Sequence, residues 1–126
     1  MKRIVLILVL ALAFVIDANA QESSNNVKVI SLEQTPGEFT QKAITVSEGT
    51  YVFEVSNNHV GKDVGLVLVP KGKDAGNPEN HIKTAYVTTV VKDGKVEKSK
   101  ATTLKKGEYV YFCPLNPTPQ YILEVK

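Results

Sequence analysis

The sequence predicts an all-β domain: an antiparallel Greek-key sandwich or barrel of seven or eight short strands. Three observations lead there. Turn signals recur every ten residues or so. The segments between them are rich in Val, Ile, Thr, Tyr and Phe. Helical periodicity is nearly absent.

Taken in order, residues 1–20, "MKRIVLILVLALAFVIDANA", read as a secretory leader. Lys2 and Arg3 give a positive start. Ile4 to Ile16 is an uncharged apolar run, short for a bilayer span. Ala18-Asn19-Ala20 supplies small residues where a signal peptidase reads, so cleavage is expected before Gln21. The competing reading is an uncleaved anchor. Residues 21–26, "QESSNN", read as a loose polar tail, and 27–126 as one domain.

Val27–Ser31 is the first expected strand. Phe39–Val46 is the second, ending in the turn "SEG". Thr50–Ser56, "TYVFEVS", alternates Tyr51, Phe53 and Val55 against Val52, Glu54 and Ser56. Val64–Val69 is a short apolar run. Pro70–Asn80, "PKGKDAGNPEN", is a long polar loop, and Asn80–Lys83 a turn of helix. Ala85–Val91 and Val96–Leu104 flank the turn "KDGK". Gly107–Cys113 follows "KKG", and Gln120–Val125 closes the chain.

Composition excludes several functions. The chain carries 15 basic and 13 acidic residues, a net charge of +2. Without the leader that becomes +1, and every Lys/Arg position is lysine, because Arg3 is the only arginine. Near-neutral charge without arginine argues against nucleic-acid binding. The lysines from Lys92 to Lys106 read as a solvated face, with Asp93 and Glu97 interspersed. No Ser-His-acid spacing, phosphate-cradling glycine loop or HExxH is present, so no enzyme is expected. His81 follows the "GNPEN" loop and lacks metal-binding partners in sequence. Tyr51, Tyr109, Tyr111 and Tyr121 read as core and sheet-face packing.

Cys113 is the one cysteine. An exported chain meets oxidising conditions, where a lone thiol is buried, ligated or paired with another molecule. It sits in "YFCPLNPTPQY", where Pro114, Pro117 and Pro119 restrict the residues before them and donate no N–H.

Two segments resemble the cupredoxins, the small blue-copper fold. "TQKAITVSEGTYVFEVSNN" is similar to the opening hairpin of that family. "LKKGEYVYFCPLNPTPQYILEV" is similar to its C-terminus, with Gly107, Tyr109, Tyr111 and Cys113 at alternating positions and Leu123 and Val125 on the closing strand. The resemblance covers most of residues 37–126. It implies a cupredoxin-like sandwich and, in its complete form, a copper ion held by two histidines, a cysteine and a weak axial methionine or glutamine. The loop length matches the short C-x₂-H-x₂-M form. Cys113 is in place, but Asn116 stands at the histidine position and Pro119 at the axial one. Gln120 is offset by one. The upstream histidine would fall in Lys62-Asp63-Val64, and His59 comes earlier than the pattern places it. Asp63 offers a carboxylate, a hard donor poorly matched to a copper–thiolate site.

The expectation is a periplasmic or secreted, non-enzymatic binding or interaction protein, with a protein or small-molecule partner and a degenerate type 1 copper site. The alternative is a copper-binding electron carrier using Cys113, His59 and Asn116. No transmembrane segment is expected after leader cleavage.

Overall fold

The computed structural model describes residues 26–126. The leader, its cleavage point and most of the polar tail lie outside the described residues. In the described residues eight strands form two four-stranded sheets. The first runs β2 (Glu38–Phe39), β1 (Val27–Thr35), β4 (Gly49–Asn57), β6 (Val96–Leu104). The second runs β3 (Ala43–Val46), β8 (Tyr121–Val125), β7 (Gly107–Phe112), β5 (Val67–Pro70). The expected all-β sandwich and its strand number are therefore present. The pairing is mixed, however, and not purely antiparallel: β1 runs parallel to β4, and β3 parallel to β8.

That mixture has a local cause. The expected strand Phe39–Val46 breaks at Thr40–Lys42, and the chain changes sheets there. Phe39 pairs with Gln34 on β1, whereas Ala43 pairs with Ile122 on β8. The excursion returns the chain to the first sheet as β4, in the same direction as β1.

Alternation then builds the core. Ile30, Leu32 and Gln34 point inward from β1, and Tyr51, Phe53, Val55 and Asn57 from β4. Leu68, Tyr111, Leu123 and Val125 meet them from the other sheet. Phe39 seats between two aromatic rings, 5.3 Å from Tyr111 and 5.8 Å from Tyr121, both edge-on. Such edge-to-face contacts add to plain area burial.

The expected strand Ala85–Val91 does not form. A 3₁₀ turn, Lys83–Ala85, opens that segment, and another, Pro78–Asn80, precedes it. The segment crosses the open side of the sandwich. Ile82 N–H reaches Leu68 on one sheet at 2.8 Å, and Thr88 N–H reaches Lys98 on the other at 3.0 Å. A segment bridging two sheets cannot share a continuous ladder with either, and only single bridges remain, Val87 with Ser99 and Val91 with Val64. Its β-prone residues serve burial instead, with Ala85 and Val91 fully enclosed. Likewise Val64 lies ahead of β5, which begins at Val67, and β1 extends four residues beyond the expected Ser31.

Candidate functional site: the Cys113 loop

β7 carries the chain to the site. Tyr111 and Cys113 face the core in alternation, and Cys113 is fully buried. Residues 114–117 then turn sharply. Cys113 fixes both ends of this turn. Its N–H donates to Thr118 Oγ1 at 2.9 Å, and its carbonyl accepts from Thr118 N–H at 3.2 Å. The prolines remove donors and conformers, and these bonds select the one that remains.

The thiol itself accepts two backbone N–H groups, from Gly65 and from Asn116, each at 3.3 Å. Asn116 is buried, and its side chain is fully engaged. Nδ2 donates to Gln34 Oε1 at 3.1 Å and to the Thr35 carbonyl at 2.9 Å. Oδ1 accepts the Gly37 N–H at 2.8 Å. Gly37 has φ of 76°, a left-handed turn conformation suited to glycine, and so presents its amide to the loop. Gln34, fully buried, donates Nε2–H to the Gly65 carbonyl at 2.8 Å.

These contacts close on themselves. Cys113 Sγ is bonded to Gly65, Gly65 to Gln34, Gln34 to Asn116, and Asn116 back to Cys113 Sγ. The circuit ties three separate segments together: the end of β1, the loop after β4, and the Cys113 turn. Among the described residues no buried side-chain nitrogen or oxygen lacks a partner. A fully satisfied buried network of this kind rigidifies its surroundings.

The loop after β4 is secured separately. Asn57 Nδ2 donates to the carbonyls of Lys62 and Val91 at 2.8 and 3.0 Å, and Asn57 Oδ1 accepts Val60 N–H at 3.1 Å. Its path leaves His59 exposed, at a φ of 61°, with Nδ1 against Asn58 Oδ1. Asp63 is exposed, and Val64, directly before Gly65, is fully buried. Pro119 and Gln120 are exposed. The structure thus joins Cys113 to Asn116 and places His59 outside the circuit. Among the described residues no three His, Cys, Asp or Glu side chains cluster tightly enough to share an ion.

Gln34 is the site residue that sequence reasoning missed. A signal existed: Gln34 continues the inward register of Ile30 and Leu32, and an uncharged polar side chain in a core register needs a partner. Close by, burial and the neighbouring Tyr121 push the Tyr111 phenol up to about 12. Its hydroxyl donates to the Gln41 carbonyl at 2.5 Å.

Two mixed sheets, with the thiol loop joining the last two strands at one end, make this a cupredoxin-type sandwich. Solved structures agree. Auracyanin B matches with a TM-score of 0.64 at 18% identity, covering 81% of this chain and 91% of that one. Auracyanin A, described as a "blue" copper protein from the green thermophilic photosynthetic bacterium Chloroflexus aurantiacus, matches at 0.61 and 16% identity, covering 79% and 99%. The dithionite-reduced auracyanin of the photosynthetic bacterium Roseiflexus castenholzii matches at 0.57 and 17% identity, covering 79% and 96%. At such identities the likeness is one of fold. No family profile and no curated protein matches the chain.

Proposed function

We propose that this chain is an exported, non-enzymatic binding or interaction protein of cupredoxin fold, in which hydrogen bonds take the place of a type 1 copper ion. The closed circuit through Cys113, Gly65, Gln34 and Asn116 carries the reading. A type 1 copper site takes two imidazole nitrogens with the thiolate. At this thiol, Asn116 has its amide committed to Gln34, Thr35 and Gly37, and the residue before Gly65 is the apolar Val64. This donor set does not fit the ion. Export to the periplasm or exterior rests on the leader-like residues 1–20. In the described residues no helix is long and apolar enough to cross a membrane.

A second reading has support in the fold neighbours, one of which is described as a blue copper protein. In it, copper binds at Cys113 with His59 and Asn116, and the chain carries electrons. Titrating the purified protein with Cu(II) separates the two. The metal-free reading expects no intense visible thiolate-to-copper band and no copper retained after desalting. A stable coloured complex that vanishes in Cys113→Ser overturns it in favour of the electron carrier.

A further inference from the structure

The segment that fails to form a strand leaves two depressions on the open side of the sandwich. One, about 370 Å³, lies between Lys83 and Lys100. The other, about 240 Å³, lies over Leu66 and runs to Pro114 and Leu115. Tyr86 and Val87 line both, so the two depressions adjoin across these residues as a shallow, open trough. The larger depression alone reaches the lower end of the range of small-molecule sites.

The trough is polarised along its length. Lys83 and Lys100 supply positive charge at one end, and no carboxylate lines either depression. Neither lysine is among the ion pairs formed by the described residues, which use Lys42, Lys71 and Lys98. Thr84 accepts the Thr102 hydroxyl at 2.9 Å, which leaves its own proton for a further acceptor. The other end is apolar, and Leu115 is 47% exposed there.

The shared wall is held in place beforehand. His81 Nε2 faces the Ala75 carbonyl at 2.8 Å, so this nitrogen carries the proton. In the neutral imidazole, Nδ1 then accepts from the Tyr86 hydroxyl at 2.7 Å. The two rings also pack edge-on at 5.9 Å. Tyr86 thus spends its hydroxyl away from the trough and offers ring surface to a ligand. Fixing such a wall in advance lowers the ordering cost of binding.

We propose that this trough binds an anionic amphiphile with a single hydrocarbon tail, its head between Lys83 and Lys100 and its tail along Tyr86 and Val87 toward Leu115. The proposal rests on the binding-protein reading above and names its ligand class. The charge asymmetry calls for an anionic head. The apolar end, with the tyrosine hydroxyl already engaged, suits a hydrocarbon tail better than a peptide backbone, which needs hydrogen-bond partners along its length.

Calorimetric titration of the whole protein with dodecanoate, below its micelle concentration and at low salt, tests this. Saturable binding at one site is expected. Lys83→Glu combined with Lys100→Glu should weaken it at least tenfold, and Leu115→Asp should also weaken it, with circular dichroism showing both variants folded. Dodecyltrimethylammonium, with the same tail and opposite charge, should not bind. The proposal is overturned by no saturable binding, by binding indifferent to the lysine substitutions, by equal binding of the cationic amphiphile, or by capture of an apolar-ended tetrapeptide in place of dodecanoate. The copper readout is separate. A protein that ignores both dodecanoate and copper loses this ligand class and keeps the metal-free reading. A protein that colours with copper loses the metal-free reading whatever dodecanoate does.

Discussion

Asn116 is an amide with three partners, and each removal has a definable cost. Asn116→Ala leaves Gln34 Oε1 without its bond in a buried setting, and the Gly37 N–H without its bond nearer the surface. Such orphaned groups cost roughly 1–3 kcal/mol. Gln34→Ala frees the Gly65 carbonyl and one Asn116 donor for a similar loss. Because the two side chains share one bond, the double variant should lose less than the sum, by about 0.5 kcal/mol or more. Urea denaturation of the four proteins measures this. Strict additivity would mean that the circuit is not a unit. Tyr111 gives a prediction of another kind. Its phenol is pushed up to about 12 by burial and Tyr121, against about 10 in an unfolded chain. Below pH 10 both states hold the proton and the stabilisation is complete. Between 10 and 12 the unfolded chain loses its proton first, so stability falls as pH rises. The share from this one group is on the order of 2–3 kcal/mol. Tyr111→Phe should flatten the decline across that window relative to the parent.

At the scale of elements, the β4–β6 pairing holds an irregularity that Ser99 repairs. Val52 pairs with Ala101 and Glu54 with Lys98, so Phe53 alone faces two residues of β6. The extra residue breaks the ladder, and Ser99 Oγ accepts the Phe53 N–H at 2.9 Å while donating to the Lys100 carbonyl at 2.7 Å. Ser99→Ala should therefore cost about 1–3 kcal/mol by thermal or urea unfolding, and Ser99→Thr, which keeps the oxygen, should recover part of it. This bulge was not legible in sequence, since the period-2 pattern of "VEKSKATTL" does not announce where register slips. A strand with clean alternation, such as β4, was legible because one face meets the core and the other does not, whereas β7 buries Val110 on its second face against Val67 and Val69. The segment Ala85–Val91 was misread because its composition is β-prone while its path spans two sheets. Parallel pairing of β1 with β4 was hidden for a related reason: strand partners are set by where Thr40–Lys42 crosses over, which local propensity does not record. The Cys113 loop was legible in length and position. The role of Asn116 was only half visible, because its partner Gln34 lies 82 residues away.

For the molecule as a whole, that separation sets an order of events. Gln34 and Asn116 sit near opposite ends of the domain in sequence, so their bond closes only once nearly all of the chain is present, and a contact of such long range is expected late in assembly. The thiol is tied to the same contact, since Asn116 N–H donates to Cys113 Sγ, and it is fully buried in the finished fold. Cys113 is thus the protein's own gauge of completeness, hidden when folding is finished and open to reagents when it is not. Labelling with a soluble disulfide reagent should be slowed on the order of a thousandfold in the native protein relative to the unfolded chain. Asn116→Ala should speed native labelling in proportion to the stability it removes. Native labelling as fast as unfolded would mean that the loop opens without the rest of the sandwich. On the export reading proposed above, a chain trapped unfolded, or cut short before Asn116, would carry this thiol uncovered into an oxidising compartment, ready to pair with whatever sulfur it meets first.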